Sequence, residues 1–216
     1  MWHKLAIRFA VTGDLRFMSH RNMLRLFERA VSRADLPVRY SEGFNPRPCV
    51  RLPLPRSVGV ASDDELLVIT LERHESPDRV YERLARQLPT GIELGETIEL
   101  ARQSKPRAVE ATYRLDLAGE QRPPLAEAVR QITNADRLEV QRAAKKGSQC
   151  RTVDLRAWIA RVDVCADVLT MILRISPEGS ARPAEVLELL GLDATEALPR
   201  LRRVAVQWEG LVPGKG

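Results

Sequence analysis

Arg21, Arg25, Arg29 and Arg33 recur at steps of four along one stretch of this 216-residue chain. A step of four turns about 400° in an α-helix, so the four guanidinia would form a slowly drifting column on one flank. Guanidinium groups in a row suit phosphate oxygens, which they meet with paired, charge-assisted hydrogen bonds. Arg16 precedes the column and Arg39 follows it. Arg47 and Arg51 then lie in and just after the turn SEGFNPRP. In that turn Phe44 stands between Gly43 and Asn45, with Pro46 and Pro48 restricting the backbone. An exposed phenylalanine among arginines would offer a stacking face to a splayed base. A buried one would instead anchor the turn in the core. The residue types leave both readings open.

Between Arg16 and Arg56 the chain carries nine arginines against only Glu28, Asp35 and Glu42. That local excess exceeds the +5 of the whole chain. A bias toward arginine over lysine runs through the sequence, but it does not account for the local shortage of acids. The pattern points to an anionic partner, with phosphate-backbone contact the leading form.

Catalytic chemistry has one candidate, His20, which sits in the first turn of the expected helix and could act as a general base on a ribose hydroxyl. A proton donor would have to come from elsewhere, with Lys4 or Tyr40 available only if the fold brings one close. The simpler role for His20 is a hydrogen bond that holds the SEGFNPRP turn. Ser19 reads as a helix cap, with no glycine-rich elbow around it. Lys145, Lys146 and Gly147, followed by Arg151 and Arg156, form a second basic stretch that reads as a solvated loop. Three scattered histidines and Cys49, Cys150 and Cys165 give no metal-ligand spacing, so no metal or cofactor is expected on this chain.

The elements that must position these residues follow from periodicity. Residues 3–11 alternate, with Leu5, Ile7, Phe9 and Val11 on one face of a strand. Ser19 caps a helix whose Leu24, Phe27, Val31 and Ala34 draw the apolar stripe, and Leu36-Pro37 ends it. Residues 50–54 contain Pro53, which cannot donate to a ladder, and can form only a short or edge strand. Residues 64–72 form a stronger strand. Ser76-Pro77 opens a second helix with Val80, Leu84 and Leu88 inward, and residues 92–100 return as a strand. This is the βαββαβ order of the ferredoxin-like plan.

After a linker near 101–110 the order repeats. A strand is expected at 112–117, a helix at 124–132, an extended segment at 137–142, a helix or irregular crossing at 152–160, and a strand at 168–175. A helix from Pro183 carries Val186, Leu187 and Leu190 inward. A last strand at 203–209 places Val204, Val206 and Trp208 together. The expectation is an α+β protein of two tandem ferredoxin-like domains, 1–102 and 110–216, each an antiparallel sheet with helices on one face. The central strands carry no sheet-face aromatics, so the usual base-stacking mode of such sheets is not expected. No apolar run nears the roughly 20 residues of a membrane helix. The alternating start reads as a strand rather than a signal peptide, and a cytoplasmic location is expected.

The stretch GDLRFMSHRNMLRLFERAVSRADLPVRYSEGFNPRP resembles the radical-SAM-linked bacterial family, a domain of unknown function fused to, or encoded beside, a radical SAM protein. The resemblance rests on Ser19-His20, Phe27-Glu28-Arg29-Ala30, the run from Leu36 to Pro46, and the run from Leu54 to Val60. It is specific over residues 5–72 and weaker through the rest of the chain. Where the family often has a histidine before the second proline of the turn, this chain has Arg47. The resemblance implies an accessory partner of a radical SAM protein, with the iron–sulfur cluster and S-adenosylmethionine on that partner only. No catalytic residues are established in the family to carry over.

Three functions follow as expectations. The first is a non-catalytic module that contacts RNA or a ribonucleoprotein through Arg16, Arg21, Arg25, Arg29, Arg33, Arg39, Arg47, Arg51 and Phe44. The second is an RNA-cleaving or RNA-modifying enzyme with His20 as base. The third is a protein–protein adaptor with no nucleic-acid contact.

Overall fold

A computed structural model gives the structure of the protein and describes residues 2–117, 122–143 and 150–214. Lys145, Lys146 and Gly147 of the second basic stretch lie outside the described residues. The fold is mixed α+β and divides into two compact units. One comprises Met1–Ala108 with Trp208–Gly216, the other Val109–Gln207.

The first unit is built on β1 (His3–Val11), α1 (His20–Arg33), β2 (Val50–Arg51), β3 (Ala61–Leu71), α2 (Pro77–Ala85) and β4 (Ile92–Leu100). β1 lies between β3 and β4, antiparallel to both, and β2 pairs with the end of β3 through Val50↔Ile69 and Arg51↔Val68. The expected alternation of β1 is what buries it. Leu5, Ile7, Phe9 and Val11 pack against Met23, Phe27, Ala30 and Val31 of α1 and Val80 and Leu84 of α2, so both helices cover one face. Phe27 meets Phe9 edge-on, with ring centroids 4.8 Å apart. On the other face Ala6, Leu66, Val68 and Leu100 form a smaller cluster with Ile98, Trp208 and Leu211.

Helix ends follow local chemistry. The Ser19 hydroxyl accepts from the Asn22 N–H at 3.2 Å, and the Ser76 hydroxyl from the Arg79 N–H at 3.4 Å. α1 stops because Asp35 takes a left-handed conformation, φ 48°. The Leu36 N–H then reaches back to the Val31 carbonyl at 3.2 Å, and both side chains are buried. The stop thus lies one residue before Leu36-Pro37 and uses an aspartate where glycine is usual. Past α2, Gly91 holds a φ of 98°, and a Cβ there would come within 2.9 Å of the Thr12 carbonyl oxygen. The Gly91 carbonyl accepts from the Thr12 N–H at 2.8 Å, tying the end of β1 to the start of β4.

The second unit contains β5 (Arg107–Asp116), α3 (Arg122–Asn134), β6 (Glu139–Arg142), β7 (Arg151–Asp154), β8 (Ile159–Cys165), β9 (Val168–Ser176), β10 (Gly179–Ser180), α4 (Pro183–Leu189), α5 (Ala194–Ala197) and β11 (Arg202–Glu209). β9 pairs antiparallel with β5, β8 and β10, and β11 lies beside β5. β6 and β7 form a separate two-stranded sheet.

Two expectations change here. The segment at 152–160, read as a helix or crossing, is the end of β7, a 3-10 turn (Arg156–Trp158) and the start of β8. Its alternation was masked because β8 buries Ile159 and Val162, which are not two residues apart. The register shifts between Ile159 and Arg161 account for that spacing. In β11, Val206 is buried as expected, but Arg203 is only 1% exposed.

Arg142 and Glu185 brace this unit with a two-pronged ion pair at 2.7 and 2.8 Å, and Arg142 also donates to the Ser180 carbonyl. Burial pushes the Glu185 carboxyl up. The hydrogen bonds from Arg142 and from the Arg182 N–H outweigh that effect and hold it below its usual range. A carboxylate held low in the folded state stabilises above its unfolded pKa, and that contribution is lost as pH falls through the folded value. Arg142→Ala is therefore expected to cost about 2–3 kcal/mol at neutral pH in urea denaturation. The gap to wild type should shrink on acidification, as pH falls below the unfolded carboxyl value and then through the lowered folded one.

Candidate nucleic-acid interface

The α1 face opposite the core carries the arginine column. With Met23, Phe27, Ala30 and Val31 inward, Arg21, Arg25, Arg29 and Arg33 all fall on the solvent side, and all four are exposed. The drift of about 40° per four-residue step carries the later members toward α2. There Arg25, Arg29 and Arg33 line an open groove of about 540 Å³ with Arg86, Gln87, Leu88 and Pro89 from the end of α2. Arg33 is fixed by donating to the Gln87 carbonyl at 2.8 Å. The side chains of Arg21, Arg25, Arg29 and Arg86 make no hydrogen bond or ion pair among the described residues. The groove is thus lined by four cations with no acid on its wall. Helical spacing does not reveal Arg86, which lies more than fifty residues from Arg33 and joins the groove only through the packing of α2 beside α1.

The SEGFNPRP turn is a closed loop between Tyr40 and Pro48, which form a β-bridge. Its neck is held by the Ser41 N–H donating to the Arg47 carbonyl at 2.8 Å and the Arg47 N–H donating to the Ser41 hydroxyl at 3.0 Å. Residues 41–47 are all exposed. Phe44 at the tip is 106% exposed, so its ring anchors nothing in the core. The loop closes on itself without His20, which makes no hydrogen bond among the described residues.

His20 instead lines a small cavity with Met18, Met23, Leu52, Leu54, Arg56 and Glu65. Its free space, about 10 Å³, holds about one water and no sugar. Lys4 and Tyr40, the proton donors considered with it, line a different cavity. Arg56 is structural: it donates to the Arg16 carbonyl at 2.7 Å and the Leu15 carbonyl at 3.3 Å, and to the Val60 carbonyl. It thereby clamps the 3-10 turn Gly13–Phe17 against the segment before β3.

The remaining arginines do not join the α1 column. Arg16 is half-buried, with its guanidinium 5.1 Å from the Phe17 ring. Arg47 sits on the exposed loop with Phe44. Arg39 and Arg51 line cavities on the sheet face turned away from α1, because Arg51 registers with Val68 of the smaller cluster. Among the described residues, no group of His, Cys, Asp and Glu side chains is placed to hold a metal ion, and the three cysteines are unpaired. Among the same residues no helix is long and apolar enough to cross a membrane.

No curated protein matches the chain. A solved crystal structure of an unknown protein from Galdieria sulphuraria aligns over 98% of this chain and 100% of its own, at 11% identity and a TM-score of 0.29. A score that low carries no argument about fold. The family model described as an uncharacterized protein conserved in bacteria, DUF2344, matches residues 4–183. That span contains the arginine helix, the loop of Phe44 and most of the second unit, and the chain belongs to this bacterial family.

Proposed function

We propose that the protein is a non-catalytic binding module that contacts RNA, or an RNA-bearing complex, through the exposed face of α1. The observation that carries this reading is the groove beside that helix, lined by Arg25, Arg29, Arg33 and Arg86 with no acid on its wall. Guanidinia without acidic partners around an open groove suit a phosphate backbone, which tracks along positive grooves and releases counterions on binding. Arg21 extends the column by one turn. Phe44, fully in solvent beside Arg47 on its loop, adds a stacking face for an unpaired base. The family resemblance adds a radical SAM protein as the enzyme this module serves in the cytoplasm, with the cluster and S-adenosylmethionine on that partner.

The small free volume of the cavity beside His20 weighs against the enzyme reading. The adaptor reading is the main competitor, with an acidic protein face meeting the same arginines. In fold, we read both units as ferredoxin-like. The order β4-β1-β3-β2 in the first unit supports this, as does the placement of β5 and β8 on either side of β9 in the second.

Binding to total cellular RNA, compared at about 50 and 200 mM salt, tests the function. The reading expects affinity that falls steeply between the two. Phe44→Ala should weaken binding about tenfold through lost stacking, with an unchanged melting temperature. Co-purification of a partner that survives nuclease, without RNA affinity in the purified chain, would move the arginines to a protein interface.

A further inference from the structure

The sheet face turned away from α1 and α2 holds a second concentration of charge. Two adjoining cavities of about 330 and 340 Å³ share Lys4, Cys49 and Thr70. One adds Trp2, Arg39, Tyr40, Ser41 and Glu42; the other adds Val50, Arg51, Val68, Ser104 and Lys105. Four cations thus face one acid. That acid, Glu42, pairs with Arg39 at 3.1 Å, and its side chain is 92% exposed. Lys4, Arg51 and Lys105 have no acidic partner among the described residues.

The backbone places these cations deliberately. Lys4 and Thr70 are cross-strand partners, and Arg51 registers opposite Val68 on the same face. Lys4 Nζ donates to the Arg102 and Ser104 carbonyls, each at 2.7 Å. An ammonium has three protons, so one remains for a ligand. The loop carrying Arg102 and Lys105 is pinned by the C-terminal segment. The Ala101 N–H donates to the Val212 carbonyl at 2.8 Å, and the Ser104 hydroxyl donates to the Gly210 carbonyl. Gly210 (φ 72°) lies so close that a Cβ would come within 2.8 Å of the Lys105 carbonyl oxygen. Trp2 holds the rim, with Arg102, Lys4 and Arg39 at 5.3, 5.7 and 5.8 Å from its ring.

We propose that this face is an anion site in which Lys4, Arg39, Arg51 and Lys105, with the Thr70 hydroxyl, bind the phosphate of a small phosphate ester. Like charges gathered around a polar hollow repel one another, and an entering anion relieves that repulsion. Burial, with Arg51 and Lys105 as the next causes, lowers the Lys4 pKa, the sign of a cation crowded by cations. The cavity sizes fall in the range that takes small molecules, so the ester has room beyond its phosphate. The site stands independently of the α1 groove and needs no RNA.

Calorimetric titration of the full chain with inorganic pyrophosphate tests it. Wild type should bind, and Arg51→Gln with Lys105→Gln should weaken binding about tenfold or more. Both side chains are exposed, so this variant keeps its fold. Lys4→Met should do the same where its melt matches wild type. Arg25→Gln with Arg29→Gln should leave pyrophosphate binding unchanged while reducing RNA binding, which separates failure here from failure of the RNA reading. One short RNA with a 5′-phosphate or a 5′-hydroxyl distinguishes the sources. A preference for the phosphorylated end, lost with Arg51→Gln and Lys105→Gln, assigns the phosphate to an RNA terminus; pyrophosphate binding without that preference assigns it to a free ester. A dissociation constant above about 1 mM, or equal loss in the α1 variant, would overturn the site.

Discussion

Replacing Arg25, Arg29 and Arg33 together with glutamine is expected to lower RNA affinity about a hundredfold at low salt. It should also flatten the dependence of log K on log salt by about 2, the slope carried by three phosphate contacts on a single strand. The argument rests on placement. These side chains project from α1 on the side opposite Phe27, Ala30 and Val31, so glutamine leaves the buried stripe untouched. Among the described residues only Arg33 has a side-chain partner to lose, the Gln87 carbonyl. Melting of the variant should therefore stay near wild type while binding collapses. A variant that melts normally and binds RNA with the wild-type salt slope would remove α1 from the interface.

The largest stability effect is expected at Phe27. It is 0% exposed, stands edge-on to Phe9, and sits where both helices meet β1. Truncation removes an aromatic pair and leaves a cavity that the β1–β3–β4 ladder cannot close. Phe27→Ala should cost about 3–5 kcal/mol by chemical denaturation. Phe27→Leu, which keeps most of the volume, should cost less. An alanine variant within about 0.5 kcal/mol of wild type, the range of surface changes, would contradict the packing described for this unit.

Much of this fold was legible because it is written locally. The alternation of Leu5, Ile7, Phe9 and Val11, the caps at Ser19 and Ser76, and the proline after Ser76 each specify an element from a few neighbouring residues. The arginine column was legible for the same reason, since helical spacing alone sets its face. What the sequence hid depends on pairing across distance. Arg51 joins Lys4 rather than Arg33 because β2 lies beside β3 with Val50 turned to the core. Lys4 reaches the Ser104 carbonyl across 100 residues. Arg86 enters the groove only through helix packing. Phe44 could not be placed from its turn chemistry, because a rigid loop can fold its tip inward or outward. The strand β8 is not legible in the sequence because a register shift breaks its alternation.

The most direct test of the central claim is ultraviolet crosslinking of the purified protein to cellular RNA, with the joined peptides mapped by mass spectrometry. The account predicts crosslinks on the segment 20–33 and on the loop 41–47, with Phe44 the strongest single position. Crosslinks confined to the second unit, or none on either of these segments, would contradict it.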